Sequence, residues 1–159
     1  MWRVRSVLGV WTAALVVAGT GTLPAAAVRH GGPEADLAYH GAASMDRGTV
    51  DVRFTPRNHG PSAVSDVTVR LRWSARLADE QVLPMGCARS EERVVLCRVG
   101  ALAADDMGEQ IELRVRLVGA PSEVLVELDT VWSGGAVDRN RVNDRQRVLV
   151  LDTGDEYYF

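Results

Sequence analysis

Arg57 to Trp73 reads RNHGPSAVSDVTVRLRW, and this stretch sets the pattern for most of the chain. Its second half places Val67, Val69, Leu71 and Trp73 at every second position, with Thr68, Arg70 and Arg72 between them. Side chains along a strand alternate between its two faces, so the segment predicts a strand with one dry and one wet side. Its first half reads as a turn. Asn58 and Gly60 tolerate positive φ and Pro61 fixes the exit direction, which makes His59 a solvated turn residue and not a ligand.

The same period of two recurs on both sides. Val50, Val52 and Phe54 alternate with polar residues, as do Ile111, Leu113, Val115 and Leu117, and then Val124, Val126 and Leu128. Ala35 to His40, Arg93 to Val99 and Arg147 to Leu151 are shorter candidates. Helical periodicity is missing after the first 27 residues, and Ala101 to Asp106 predicts one turn at most. About seven short strands separated by turn signals predict an all-β, antiparallel β-sandwich over residues 35–151, with 152–159 as a C-terminal tail.

The first residues have a different character. Arg3 and Arg5 precede the apolar run VLGVWTAALVVAG, which is followed by Pro24 and by Ala25, Ala26 and Ala27. A charged start, an apolar middle and an A-x-A end predict a secretory signal peptide over residues 1–27, cut after Ala27. An uncleaved anchor is the alternative, because the uncharged run is long enough to span a bilayer. Residues 28–34, which include Gly31-Gly32-Pro33, then form a linker. The expected product is a secreted, extracellular, monomeric domain with no membrane attachment after cleavage. A chain starting at Val28-Arg29-His30 would offer an α-amine, two backbone nitrogens and an imidazole, a square-planar set that suits Cu(II) or Ni(II). The bland alternative is a histidine that happens to precede the linker.

All 18 basic residues of the 159-residue chain are arginine, and the formal net charge is −3. Loss of Arg3 and Arg5 with the signal makes the remainder more acidic still, so nucleic acid meets no broad basic field. The absence of lysine and the single isoleucine, Ile111, point to a bacterial genome of high G+C content. Cys87 and Cys97 are the only cysteines, and in an exported chain they predict one disulfide. Two thiolates without a neighbouring histidine fall short of the four ligands of a zinc site. The residues between them, ARSEERVVL, have the polar centre of a hairpin tip, so the bond would staple a hairpin. Closing so short a loop is worth on the order of 2–3 kcal/mol in the chain-entropy picture.

Three segments carry a family likeness. NHGPSAVSDVTVRL (Asn58 to Leu71), CRVGALAADDMGEQIELRVRL (Cys97 to Leu117) and DRNRVND (Asp138 to Asp144) stand in this order. They resemble the N-x-G-P-S, C-x-x-G-x-L-x-A-G and D-P-N-P-x-N-N elements of the bacterial surface repeat called domain of unknown function eleven. The resemblance implies an immunoglobulin-like sandwich of a cell-surface or secreted protein, without catalytic residues. Departures are Arg70 to Arg72 in place of polar Thr/Asp, and Arg139 and Arg141 in place of the two turn prolines. The chain carries one copy where the family usually has tandem arrays, which weakens a spacer role.

Motifs that could carry chemistry are few. Asp152-Thr153-Gly154 after an apolar strand has the look of an aspartic protease motif, but no second copy exists to share a proton. DRNRVND offers oxygen ligands that suit calcium, yet Val142 stands at the fifth position and no glutamate closes the loop. No serine sits in a nucleophile elbow. No catalytic residue, metal site or cofactor is therefore predicted. The wet faces hold more interest. Arg70, Arg72, Arg114 and Arg116 recur at every second position and define a candidate binding face, with Glu112, Glu127 and Asp129 as prospective cross-strand partners. A solvated, charge-laced face is the bland reading. A docking surface for an acidic cell-envelope polymer or a surface protein is the functional one, with Trp132 and Tyr157-Tyr158-Phe159 adding aromatic contacts; a packed C-terminal strand explains the tail equally well. A non-catalytic binding module at or near the envelope is the expected function; an extracellular enzyme or inhibitor, or a spacer, is the alternative.

Overall fold

A computed structural model describes residues 32–159. The expected signal peptide, the expected cleavage site and His30 lie outside the described residues. The strands in chain order are β1 (Glu34–Ala35), β2 (Leu37–Asp46), β3 (Thr49–Asn58), β4 (Val64–Trp73), β5 (Cys87–Glu91) and β6 (Val94–Leu102). They continue as β7 (Asp106–Met107), β8 (Ile111–Arg116), β9 (Glu123–Trp132), β10 (Val137–Asp138), β11 (Arg145–Leu151) and β12 (Glu156–Tyr158). The seven that the alternation predicts are the long ones: β2, β3, β4, β6, β8, β9 and β11.

They form an antiparallel β-sandwich. One sheet has the order β12-β2-β3-β8, with β7 also paired to β3; the other has the order β11-β9-β4-β6-β5. β1 and β10 add a two-residue parallel pair at one end. The physical cause is the alternation itself. Every second residue of β3 and β9 is buried, so each sheet has one apolar face, and the two can leave water only by stacking on each other. Trp73, Tyr39, Phe54, Leu37, Met45 and Leu71 fill the space between them. Tyr39 and Phe54 meet edge to face, with centroids 5.9 Å apart, and the Tyr39 hydroxyl crosses the interior to Thr130 Oγ1 at 2.5 Å. That bond joins β2 of one sheet to β9 of the other.

The turn after β3 works differently from the sequence expectation. Neither Asn58 nor Gly60 is among the described residues with positive φ. Asn58 is instead fully buried at the end of β3, and its carboxamide uses its whole hydrogen-bonding capacity. Nδ2 donates to the carbonyls of Ser62 (2.9 Å) and Ala103 (3.0 Å), while Oδ1 accepts from the N–H groups of Gly60 (3.0 Å) and Asp36 (3.3 Å). Gly60 is needed because a Cβ there would sit 2.5 Å from Ala35 Cα. The restriction is steric contact with the incoming chain, not backbone handedness. His59 is exposed, as expected.

Residues 152–159, the C-terminal tail, include a packed strand. Asp152 to Asp155 cross from β11 to the opposite sheet, and β12 then pairs with β2 through Glu156↔Ser44 and Tyr158↔Ala42. Phe159 and Gly41 exchange both backbone hydrogen bonds at 3.0 Å. Tyr157 and Phe159 pack against the core. The segment covers part of an edge that would otherwise expose unpaired backbone groups.

Cys87 and Cys97 are register partners on β5 and β6 and form the expected disulfide, with a Cα–Cα distance of 4.0 Å. Replacing both cysteines by alanine should lower stability by about 2–3 kcal/mol, read from urea unfolding. A larger local effect is expected at the turn. Asn58→Ala leaves four backbone groups without their side-chain partner, and Gly60→Ala forces a backbone clash, so each should cost on the order of 3 kcal/mol or more. His59→Ala should leave the unfolding midpoint unchanged.

Candidate functional site

The four arginines of the candidate face separate in three dimensions. Arg70 and Arg72 project from β4 on the five-stranded sheet, whereas Arg114 and Arg116 project from β8 on the other sheet. Each pair points outward, but from opposite sides of the sandwich. The sequence period fixes which residues of one strand share a face; only strand order fixes which strands share a sheet. A single face bearing all four does not form.

On the β8 side the arginines are spoken for. Arg114 binds Asp51 through Nε at 2.6 Å and Nη2 at 3.2 Å; this partner is one strand away, on β3, and is not the expected Glu112. The Asp51 carboxylate holds the Arg114 guanidinium above its ordinary range. Arg116 Nη2 donates to the Glu80 carbonyl at 3.2 Å. Nearby, Arg53 forms a two-pronged ion pair with Glu156 of β12. That hydrogen bonding, aided by the Tyr158 hydroxyl, pulls the Glu156 carboxyl down to about 2.

The β4 side is richer. Asp129 on β9 lies between Arg70 on β4 and Arg145 on β11, and Glu127 lies between Arg72 and Arg147. Arg70 grips Asp129 with Nε at 2.9 Å and Nη2 at 2.6 Å. Arg147 Nε lies 2.9 Å from Glu127 Oε1. Arg72 and Arg145 take no part in these two pairs, so four guanidinium groups surround two carboxylates. Together they line a shallow depression of about 350 Å³. Arg145 and Arg147 were not picked out from the sequence, although RQRVLVL shows the same every-second-residue spacing.

DRNRVND serves as structural cement. Asp138 Oδ2 accepts from Leu37 N (2.8 Å) and Oδ1 from Asn140 N (2.8 Å), while Asn143 Nδ2 reaches Asp36 Oδ1 at 2.8 Å. Among the described residues no group of three or more His, Cys, Asp or Glu is placed to hold a metal. Asp152-Thr153-Gly154 makes the crossing to β12, with Asp152 N bonded to Ser122 O and Gly154 N to Met45 O. Asp144 is fully buried, with Arg141 Nε 3.1 Å from Oδ2. Burial pushes its carboxyl above the ordinary range, against the pull of Arg141.

No protein-family model and no curated protein matches the chain. Among solved structures it is similar to β-glucosidase 3B from Thermotoga neapolitana, in complex with α-D-glucose, at 14% identity and a TM-score of 0.43. The likeness covers 79% of this chain but 17% of that one, and carries nothing about activity. What fold and site define together is a disulfide-stapled antiparallel β-sandwich with two charge-bearing outer faces, one of them rich in arginine.

The buried carboxyl gives a pH test. A group whose native pKa is raised binds its proton more tightly in the folded state, so its contribution to stability falls as pH rises from the unfolded value, near 3.9, through the raised native one. Asp144→Asn removes that burden. The variant should gain stability relative to the parent at pH 7, and the gap should narrow by pH 4, as measured by urea unfolding at both pH values.

Proposed function

We propose that the chain is a secreted, non-catalytic binding module that acts at or near the bacterial cell envelope, and that it engages an acidic partner through the outer face of the five-stranded sheet. The observation that carries this reading is the set Arg70, Arg72, Arg145 and Arg147 around Glu127 and Asp129. Paired carboxylates fix two guanidinium groups in place; Arg72 stands outside those pairs, and Arg145 meets only Asp144, with Nε 4.0 Å from Oδ1, so both can still take up an external acid. This is a local positive island on a chain whose formal net charge is −3, which orients an anionic partner toward one side. The disulfide suits an oxidising compartment. No helix among the described residues is long and apolar enough to cross a membrane. The resemblance to domain of unknown function eleven points the same way, toward a surface or secreted domain that works by contact.

Co-sedimentation of the exported protein with cell-envelope fragments tests the reading. Retention is expected to fall as salt is raised, since the Debye length shrinks from about 10 Å at 0.1 M to about 3 Å at 1 M. Replacing Arg70, Arg72, Arg145 and Arg147 by alanine should abolish retention while the unfolding transition stays cooperative. The Arg114/Arg116 double alanine variant, altered on the opposite side, should bind as the parent does. Retention indifferent to salt and to the fourfold change would exclude this face.

A further inference from the structure

The five-stranded sheet carries a second feature on the same side. Along β9, Val124, Val126, Leu128 and Thr130 point inward. Unbroken alternation would send Trp132 inward too. Instead the ladder slips: Val69 pairs with Thr130, but Thr68 pairs with Trp132, so Val131 is an extra residue in β9. A bulge of this kind re-aims the side chains that follow it. Trp132 is consequently 55% exposed, an unusual state for the largest apolar side chain. Thr68 is also the register partner of Arg98 on β6, so Trp132, Thr68 and Arg98 form one row across three strands. The next row outward along β4 holds Arg70 with Asp129, two residues and therefore roughly 7 Å away.

We propose that this face binds an acidic polysaccharide, with Trp132 as the platform on which a sugar ring stacks and the arginines as the partners of its carboxylates. The inference rests on the proposed binding role of the arginine face and names the chemistry of its ligand. Three properties of the face select that chemistry. An exposed indole beside polar groups suits a ring with one apolar C–H face and a polar rim. Planar guanidinium groups match carboxylates in two-pronged fashion. Glu127 and Asp129 break the positive charge into separate points and offer acceptors to neutral hydroxyl groups. Inorganic polyphosphate, whose charges follow one another with no hydroxyl group between them, has no hydroxyl to donate to those two carboxylates and would be repelled by them. A polymer whose spaced carboxylates alternate with hydroxyls is not.

The test uses the exported protein with polygalacturonate as the probe, and with dextran and inorganic polyphosphate as comparisons. Trp73 is fully buried and Trp132 exposed, so among the described residues a ligand-induced fluorescence change reports on Trp132. Polygalacturonate is expected to bind saturably and change the emission, dextran to bind far more weakly, and polyphosphate to leave the emission unchanged. Trp132→Ala should weaken polygalacturonate binding at least tenfold, and Trp132→Phe should recover most of it. If Trp132→Ala binds as the parent does while the fourfold arginine variant loses binding, the stacking inference is wrong and the arginine face survives. Tighter binding to polyphosphate than to polygalacturonate, or no binding to polygalacturonate at all, also overturns the inference. In those cases the envelope experiment still judges the arginine face by itself.

Discussion

The carboxamide of Asn58 ties together the segments that meet at one end of the sandwich. It binds the entering chain at Asp36, the turn at Gly60 and Ser62, and the β6–β7 connection at Ala103. A buried amide with two donors and two acceptors pays its desolvation cost only if all are met, and here all are. Its neighbours depend on it. The entering strand β1 reaches β10 beside it, and Asp36 then receives the amides of Asn140 and Asn143. One side chain thus ties together the end of the sandwich at which the loops before β8 and β11 must be ordered.

The two sheets are used differently. On one, the arginines of β8 are absorbed by neighbours, and the C-terminal strand is fastened by Arg53 and Glu156. On the other, the acidic residues of β9 are flanked by arginines on both sides, so acid is locally outnumbered. Exposed ion pairs contribute little to stability, and core packing accounts for the fold without them. For the proposed binding role the pairs on β9 matter through orientation: a guanidinium held by a carboxylate keeps a fixed plane and would lose less freedom on meeting a ligand. The bulge at Val131 adds an aromatic surface to the same side.

Much of the architecture was legible in the sequence. Period-two alternation located β3, β4, β8 and β9, because burying one face of a sheet leaves a direct trace in residue order; β6, β11 and the first part of β2 were visible as shorter apolar runs. The two cysteines, their hairpin and their bond followed from compartment and spacing. Short strands were not legible: β1, β7, β10 and β12 are two or three residues long, too short to show a period, and exist because a neighbouring edge offers free backbone groups. Asn58 and Gly60 were recognised as a turn, but for the wrong reason. Their roles depend on segments 22 or more residues away, such as Asp36 and Ala103.

The sequence by itself determined which side of each strand faces water, and therefore that Arg70 and Arg72 point together, as do Arg114 and Arg116. Only the tertiary structure decided that the two pairs lie on opposite sheets and that Arg145 and Arg147 complete the first pair. Strand order does that, and it comes from pairing between distant segments that no local pattern encodes. The same holds for Trp132. The sequence names it as a surface contact, but the cause of its exposure is tertiary: a one-residue slip between two strands turns it out to solvent, because a period of two reverses with every residue inserted.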